Sequence, residues 1–149
     1  MKNIIKSVLF LFLNFSFIPH AFAWRETGHF VVCQIGYNHL TPEAKIKIDE
    51  IMGGEDKFAT QCTWPDIVRK SDGWKHTYPW HFINLNDNQK YFNQNTINSE
   101  GDALQAIYNA QEILSDPSST VETNRRFLRF LGHFVGDIHQ PLHLSLIHI

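Results

Sequence analysis

The stretch from Thr123 to His139 constrains the fold more than any other part of this chain of 149 residues. It reads Thr-Asn-Arg-Arg-Phe-Leu-Arg-Phe-Leu-Gly-His-Phe-Val-Gly-Asp-Ile-His. Phe127, Leu128, Phe130, Leu131, Phe134, Val135 and Ile138 occupy nearly every side of a helix, and a helix apolar on most sides belongs in a core. Pro141 stops it. Two polar residues ride on it: His133 and Asp137 are spaced i and i+4, so they share one face a turn apart. Buried polar groups need partners. A metal satisfies both at once, and so does a direct His–Asp hydrogen bond; the pair alone does not choose. His143 lies past Pro141 and cannot share their face by helical geometry, although the turn after the helix can swing it back towards a neighbouring metal. His139 sits near the opposite side and reads as a surface residue or a support for a ligand.

The rest of the chain reads as mainly helical. Phe30, Val31, Ile35 and Leu40 fit one helical face. Thr41-Pro42-Glu43 is an N-cap followed by Pro at the first helical position, and Ala44, Ile48 and Ile51 continue a helix to Gly53-Gly54. Trp64 to Arg69 fits a short helix, and Ser71 to Pro79 carries turn residues. Trp80-His81-Phe82-Ile83 is either extended or the start of a helix. Asp87 to Ser99 is rich in Asn and Gln and reads as loop. Leu104, Ile107, Ala110 and Ile113 line one side of an amphipathic helix over Glu100–Leu114. Ser115-Asp116-Pro117-Ser118-Ser119 then breaks the chain. There is no internal repeat and no second domain.

The beginning has the shape of an export leader: Lys2 and Lys6, the apolar run Val8 to Ile18, then the small-x-small site Ala21-Phe22-Ala23. The run is too short for a stable bilayer anchor. The expected organisation is a signal peptide over 1–23 and a mature domain over 24–149, secreted or periplasmic, with no stable membrane association and no obligate protein partner evident. Cys33 and Cys62 are an even pair in an exported chain, which favours a disulfide over two separate buried thiols. Such a bridge would pin the N-terminal segment to Trp64-Pro65-Asp66 and contribute roughly 3 kcal/mol. Removing the leader lysines takes the formal charge from −2 to about −4. That argues against a tight duplex binder held by phosphate neutralisation. It leaves a metallohydrolase open, because bound metal supplies positive charge locally.

Cleavage after Ala23 exposes Trp24, whose free amine and carbonyl can both grip a metal, with His29 close behind. Asp66 in Trp-Pro-Asp and His81 in Trp-His-Phe-Ile-Asn are further donors of the nitrogen and oxygen kind that zinc takes. No Cys-x-x-Cys pair, no nucleophile elbow and no phosphate-cradling glycine loop is present.

In this order, Trp24-(x)3-Gly28-His29, Trp64-Pro65-Asp66, His81-Phe82-Ile83-Asn84 and His133-Phe-Val-Gly-Asp137-Ile-His-Gln-Pro-Leu-His143 resemble the zinc-dependent S1/P1 nuclease family. The resemblance runs from Trp24 to His143. It implies a mostly helical zinc-hydrolase fold of the phospholipase C/P1 nuclease type and three Zn2+ ions in a cleft. Asp66, His81, His133 and Asp137 would hold one ion. Trp24, His29 and Asp137 would hold a second, with Asp137 bridging the pair. His143 would be one ligand of a third, whose other ligands in the family are a His and an Asp further downstream. The sequence after His143 is Leu-Ser-Leu-Ile-His-Ile, without that His-(x)3-Asp, so the third site and the C-terminal part of the fold are expected to be incomplete. Asp66 and Asp137 would be catalytic, with Arg69 contacting phosphate or orienting the site. Phe82 would stack a base and Asn84 hydrogen-bond it. The implied activity is hydrolysis of single-stranded DNA or RNA to 5′-phosphate products, together with 3′-nucleotidase action on 3′-nucleotides. Phospholipase C-like enzymes share the His-(x)3-Asp-(x)5-His spacing, so a lipid phosphodiesterase is an alternative, as is an inactive truncated metal-binding fragment. The gap from Trp24 to His29 and the Trp-Pro-Asp context favour the nuclease.

Overall fold

A computed structural model describes residues 26–84 and 98–145. In chain order the elements are α1 (Glu26–Asn38), α2 (Pro42–Met52), α3 (Lys57–Gln61), α4 (Trp64–Val68), a 3₁₀ helix (Asp72–His81), β1 (Ile83–Asn84), α5 (Ala103–Ser115), α6 (Val121–Ile138), a short 3₁₀ turn (Pro141–His143) and β2 (Leu144–Ser145). The chain is mainly α, as its periodicity predicts. The leader, Trp24 and most of the Asn-rich stretch lie outside the described residues.

Local chemistry sets the helix ends. Thr41 caps α2 by accepting from the Ala44 N–H at 3.3 Å, with Pro42 behind it. Gly53 ends the helix at φ 85°, a left-handed conformation that favours glycine. Asp102 caps α5 through the Gln105 N–H at 2.9 Å, and Thr120 caps α6 through the Thr123 N–H at 3.1 Å.

Helix α6 runs through the middle. No residue from Thr123 to Ile138 is exposed, and its main neighbours are α5 and α1. Two of its three arginines are accommodated by hydrogen bonds, Arg125 Nε donating to the Ile51 carbonyl at 2.7 Å and Arg129 Nε to Gln61 Oε1 at 2.8 Å, and Arg126 lies over the Trp74 ring. Two apolar clusters pack on either side of it. One surrounds the Cys33–Cys62 disulfide with Tyr37, Met52, Phe58, Ala59 and Leu128. The other is aromatic: Phe130 and Phe134 stack with centroids 5.3 Å apart, backed by Ile107, Trp64, Trp74 and Trp80.

The inward face of α1 is not the one its apolar residues suggest. Phe30, Val31 and Ile35 are 39%, 43% and 54% exposed, whereas His29, Cys33 and Tyr37 are buried. The disulfide and the imidazole fix this orientation, and glycines on α6 admit it. Gly132 faces Cys33 and Cys62, and Gly136 faces His29; a Cβ at either position would fall within 2.9 Å of a side-chain atom on α1.

The Trp80–Ile83 stretch takes both conformations that its sequence allows. The 3₁₀ helix carries His81, and the chain then extends into β1. β1 pairs in parallel with β2, Ile83 opposite Leu144 and Asn84 opposite Ser145. That short ladder brings His143 beside His81.

Candidate metal centre

Six of the side chains singled out from sequence converge at the inner face of α6. His133 and Asp137 supply the floor. α1 supplies His29, α4 supplies Asp66, the end of the long 3₁₀ helix supplies His81, and the turn after α6 returns His143. His29, His81, His133 and Asp137 are all 1% exposed or less.

The donor atoms crowd together, at separations that fall on either side of those between ligands of one ion. His81 Nδ1 and His133 Nε2 are 2.9 Å apart. Asp137 Oδ2 lies 3.1 Å from His81 Nδ1 and 3.2 Å from His133 Nε2. Asp66 Oδ1 lies 3.8 Å from both imidazole nitrogens. Ligands at the usual zinc bond lengths sit about 3.3–3.6 Å apart around a tetrahedron. A second grouping forms around His29: its Nε2 is 3.5 Å from Asp137 Oδ1 and 3.8 Å from Asp66 Oδ2.

Proton bookkeeping tests whether a cation fits. His133 Nδ1 lies 2.7 Å from the Cys62 carbonyl, which can only accept, so this nitrogen carries the proton. Nε2 is then the nitrogen that faces the site, 2.9 Å from His81 Nδ1 and 3.2 Å from Asp137 Oδ2, free to bind a cation or to share a proton with either. His143 is held the same way, with Nδ1 donating to the His81 carbonyl at 2.8 Å. Among the described residues Asp137 Oδ1 is buried without a hydrogen-bond donor. A dication bound among these donors would give Asp137 Oδ1 the partner it lacks. The residues present thus fit a zinc ion. The far ring nitrogens, His29 Nδ1 and His81 Nε2, also lack partners among the described residues, and such an ion would leave them unsatisfied.

The titration behaviour agrees. Burial, then the neighbouring His133, pushes His29 from 6.5 down to about 4. The two rings stack with centroids 3.7 Å apart, where two imidazolium charges would repel. Burial lowers His81 as well. Burial alone would raise Asp137, but the nitrogens of His133 and His81 facing it hold the carboxyl well below the usual carboxylate range. Near neutral pH His29 and His81 are therefore neutral and Asp137 is ionised, the forms that bind metal without first expelling a proton.

The sequence model of the S1/P1 Nuclease family matches residues 24–148. This chain belongs to the S1/P1 nuclease family. Among relatives, it is 29% identical over 143 residues to Endonuclease 4 of Arabidopsis thaliana, covering 87% of this chain and 48% of the relative. It is 32% identical over 126 residues to Nuclease P1 of Penicillium citrinum, covering 80% and 47%. It is 30% identical over 129 residues to Nuclease S1 of Aspergillus oryzae, covering 82% and 44%. The chain thus spans about half the length of the curated relatives it matches.

For a chain of this family, the remaining expected residues fall as follows. Arg69 reaches the centre through Asp66, with Nη2 to Oδ1 at 2.8 Å. Phe82 is half-buried at the rim, and Asn84 is exposed on β1. Trp24 lies outside the described residues. His139 faces outwards, bonded through Nδ1 to the Val135 carbonyl at 2.6 Å. Three supporting features escaped the sequence reading: the Cys62 carbonyl that orients His133, and Gly132 and Gly136, which let α1 close on α6. Two glycines at i and i+4 within an apolar helix were the available signal, since such glycines mark close approach of a neighbour.

Proposed function

We propose that this protein is an exported, zinc-dependent endonuclease that hydrolyses phosphodiester bonds of single-stranded DNA and RNA to 5′-phosphate products and acts on 3′-nucleotides. The observation that carries this reading is the pair of donor groups that share His133, one of His81, His133 and Asp137 and one of His29, Asp66 and His133, with Arg69 bonded to Asp66, in a chain whose relatives are named nucleases and endonucleases. In this reading Asp66, His81, His133 and Asp137 hold one ion. Trp24, His29 and Asp137 hold a second, and His143 is one ligand of a third.

Bound zinc supplies Lewis acidity and a hydroxide nucleophile near neutral pH. The chain does the rest. Asp137 presents one oxygen to His81 and His133 and the other to His29, so a single carboxylate serves two positions. Arg69 holds Asp66 in place, and its remaining N–H groups are available to a phosphate oxygen. Phe82 offers a ring for base stacking, which tolerates any base. Asn84, exposed beside it, presents an amide to a base edge. Single strands suit this arrangement because their bases can splay out of the stack. Export follows from the leader sequence and is supported by the disulfide, which belongs to oxidising compartments. Among the described residues no helix is long and apolar enough to cross a membrane.

The deciding experiment measures zinc content of the purified protein, then its action on single-stranded DNA, RNA and phosphatidylcholine. Bound zinc with 5′-phosphate-ended nucleic acid products is the expected result. Lipid hydrolysis in place of nucleic acid hydrolysis would move the protein to the phospholipase C reading. A zinc-free, inert product would identify a vestigial fragment.

A further inference from the structure

We propose that Tyr78, with the cleft it lines, is a second base-binding position beside Phe82 and takes the nucleotide adjoining the one at the scissile bond. The proposal rests on the nuclease reading above and extends it from one nucleotide to a strand.

The local fold turns Tyr78 outwards. In the 3₁₀ helix Thr77 and Pro79 are buried, and Tyr78 between them is 59% exposed. Its ring belongs to neither apolar cluster; its contacts are with residues of the site. It meets Phe82 edge to face, with centroids 5.9 Å apart at 74°. The Arg69 guanidinium lies 5.5 Å from the ring centroid, and Arg69 is bonded to Asp66 at 2.8 Å. One exposed aromatic ring therefore adjoins both the proposed stacking residue and the arginine beside the metal donors.

Tyr78 also lines a cleft of about 440 Å³ together with His76, Pro79, Trp80, Lys75 and Glu100. That volume is in the range of small-ligand sites. The charges that line it decide what enters. Lys75 is neutralised by Asp72 at 2.6 Å, and Glu100 is acidic. The cleft therefore lacks the excess positive charge that would seat a phosphate. An aromatic wall without such excess recognises the flat face of a base. Stacking is tolerant of base identity and is worth about 1–3 kcal/mol per base in single-strand binding, so the position would add affinity for length without adding sequence preference.

The test measures binding of phosphorothioate thymidine compounds, a 3′-mononucleotide and a dinucleotide, to the zinc-loaded full chain by titration calorimetry. In the unmodified protein the dinucleotide should bind roughly tenfold more tightly than the mononucleotide. Tyr78→Ala should erase that gain and leave the mononucleotide unchanged. Tyr78→Leu, which keeps bulk without an aromatic face, should behave like Tyr78→Ala, and Tyr78→Phe should keep the gain. If Tyr78→Ala retains the full gain, or weakens both compounds equally, the proposal is overturned; equal weakening would mean that the ring only positions Arg69. If the unmodified protein binds neither compound, the nuclease reading falls and this proposal falls with it.

Discussion

Asp137 has a different set of neighbours at each oxygen, and this makes it the residue on which the centre turns. Oδ2 faces His81 at 3.1 Å and His133 at 3.2 Å, while Oδ1 faces His29 at 3.5 Å. A carboxylate so placed can bridge two cations, whereas His29 can serve only one. Asp137→Ala should therefore lose more bound zinc than His29→Ala, measured as zinc per mole of purified protein; equal content in the two variants would remove the bridging role. His29 also gives the zinc-free protein a pH dependence. Its folded value is about 4 against 6.5 for the free side chain. Between those values the unfolded chain binds the extra proton, so stability is highest above pH 6.5 and falls as pH drops towards 4. The full shift corresponds to about 3 kcal/mol. Asp137 contributes nothing to that window: its value is lowered from 3.8, so its contribution is present above 3.8 and is lost only at lower pH. Urea midpoints of chelator-treated protein at pH 7 and pH 5 would check this; a midpoint that does not fall contradicts it.

At the scale of elements, the contact that matters is α1 against α6. In an ordinary helix interior Gly→Ala stabilises by about 0.8–1 kcal/mol. Gly132→Ala should do the opposite, because its Cβ would lie 2.5 Å from Cys33 Sγ and 2.7 Å from Cys62 Sγ. A disulfide packed into a core cannot swing aside, and overpacking of this kind costs about 1–3 kcal/mol. Gly136→Ala would meet His29 Nδ1 at 2.9 Å, so its signature should be loss of zinc beyond any loss of stability. Thermal midpoints and zinc content of the two variants separate these effects, and a stabilised Gly132→Ala would show that the helices are not in close contact. The same interface shows where sequence reading succeeds and where it stops. Helix α6, the cap at Thr41 and the stop at Gly53 were legible because each is decided within a few residues; the Asp102 cap was not singled out. The inward face of α1 was not. Phe30, Val31 and Ile35 fit a helical stripe as well as the true inward set does, and only distant partners, the Cys62 sulfur and two glycines, select His29, Cys33 and Tyr37. The β1–β2 pairing was invisible for the same reason: a ladder of two residues leaves no periodicity, yet it sets His143 beside His81. The proposed ligand set could be suggested only through the order of four motifs, since apart from His133 and Asp137 no two of these residues have a spacing that a helix would dictate.

Across the whole molecule, the donors come from elements that share little else. α4 is a single short helix, the long 3₁₀ segment owes its position to Trp74 and Trp80 packing on Phe130, and α1 is fastened by the disulfide. Their common meeting point is a cluster of imidazoles and carboxylates in which a buried carboxylate oxygen, Asp137 Oδ1, lacks a donor among the described residues, so a cation there would tie the elements together. Metal binding is therefore coupled to global stability and not only to chemistry. With free zinc at a hundredfold excess over its Kd, a single site adds about 2.7 kcal/mol, which for a domain of this size is a rise of roughly 5–10 °C in thermal midpoint. Treatment with a chelator should lower the midpoint by that much in the unmodified protein and by much less in Asp137→Ala, which has little zinc to lose. Reduction of Cys33–Cys62 should cost about 3 kcal/mol more, because it frees a loop of 29 residues in the unfolded chain. The two losses act through different states: the metal stabilises the folded form, whereas the bridge restricts the unfolded one. They should therefore add wherever the bridge leaves the donors in place. They should be coupled where α1 carries both Cys33 and His29. Scanning calorimetry of the four combinations, with and without chelator and reductant, measures that coupling, and strict additivity would show that His29 holds no metal.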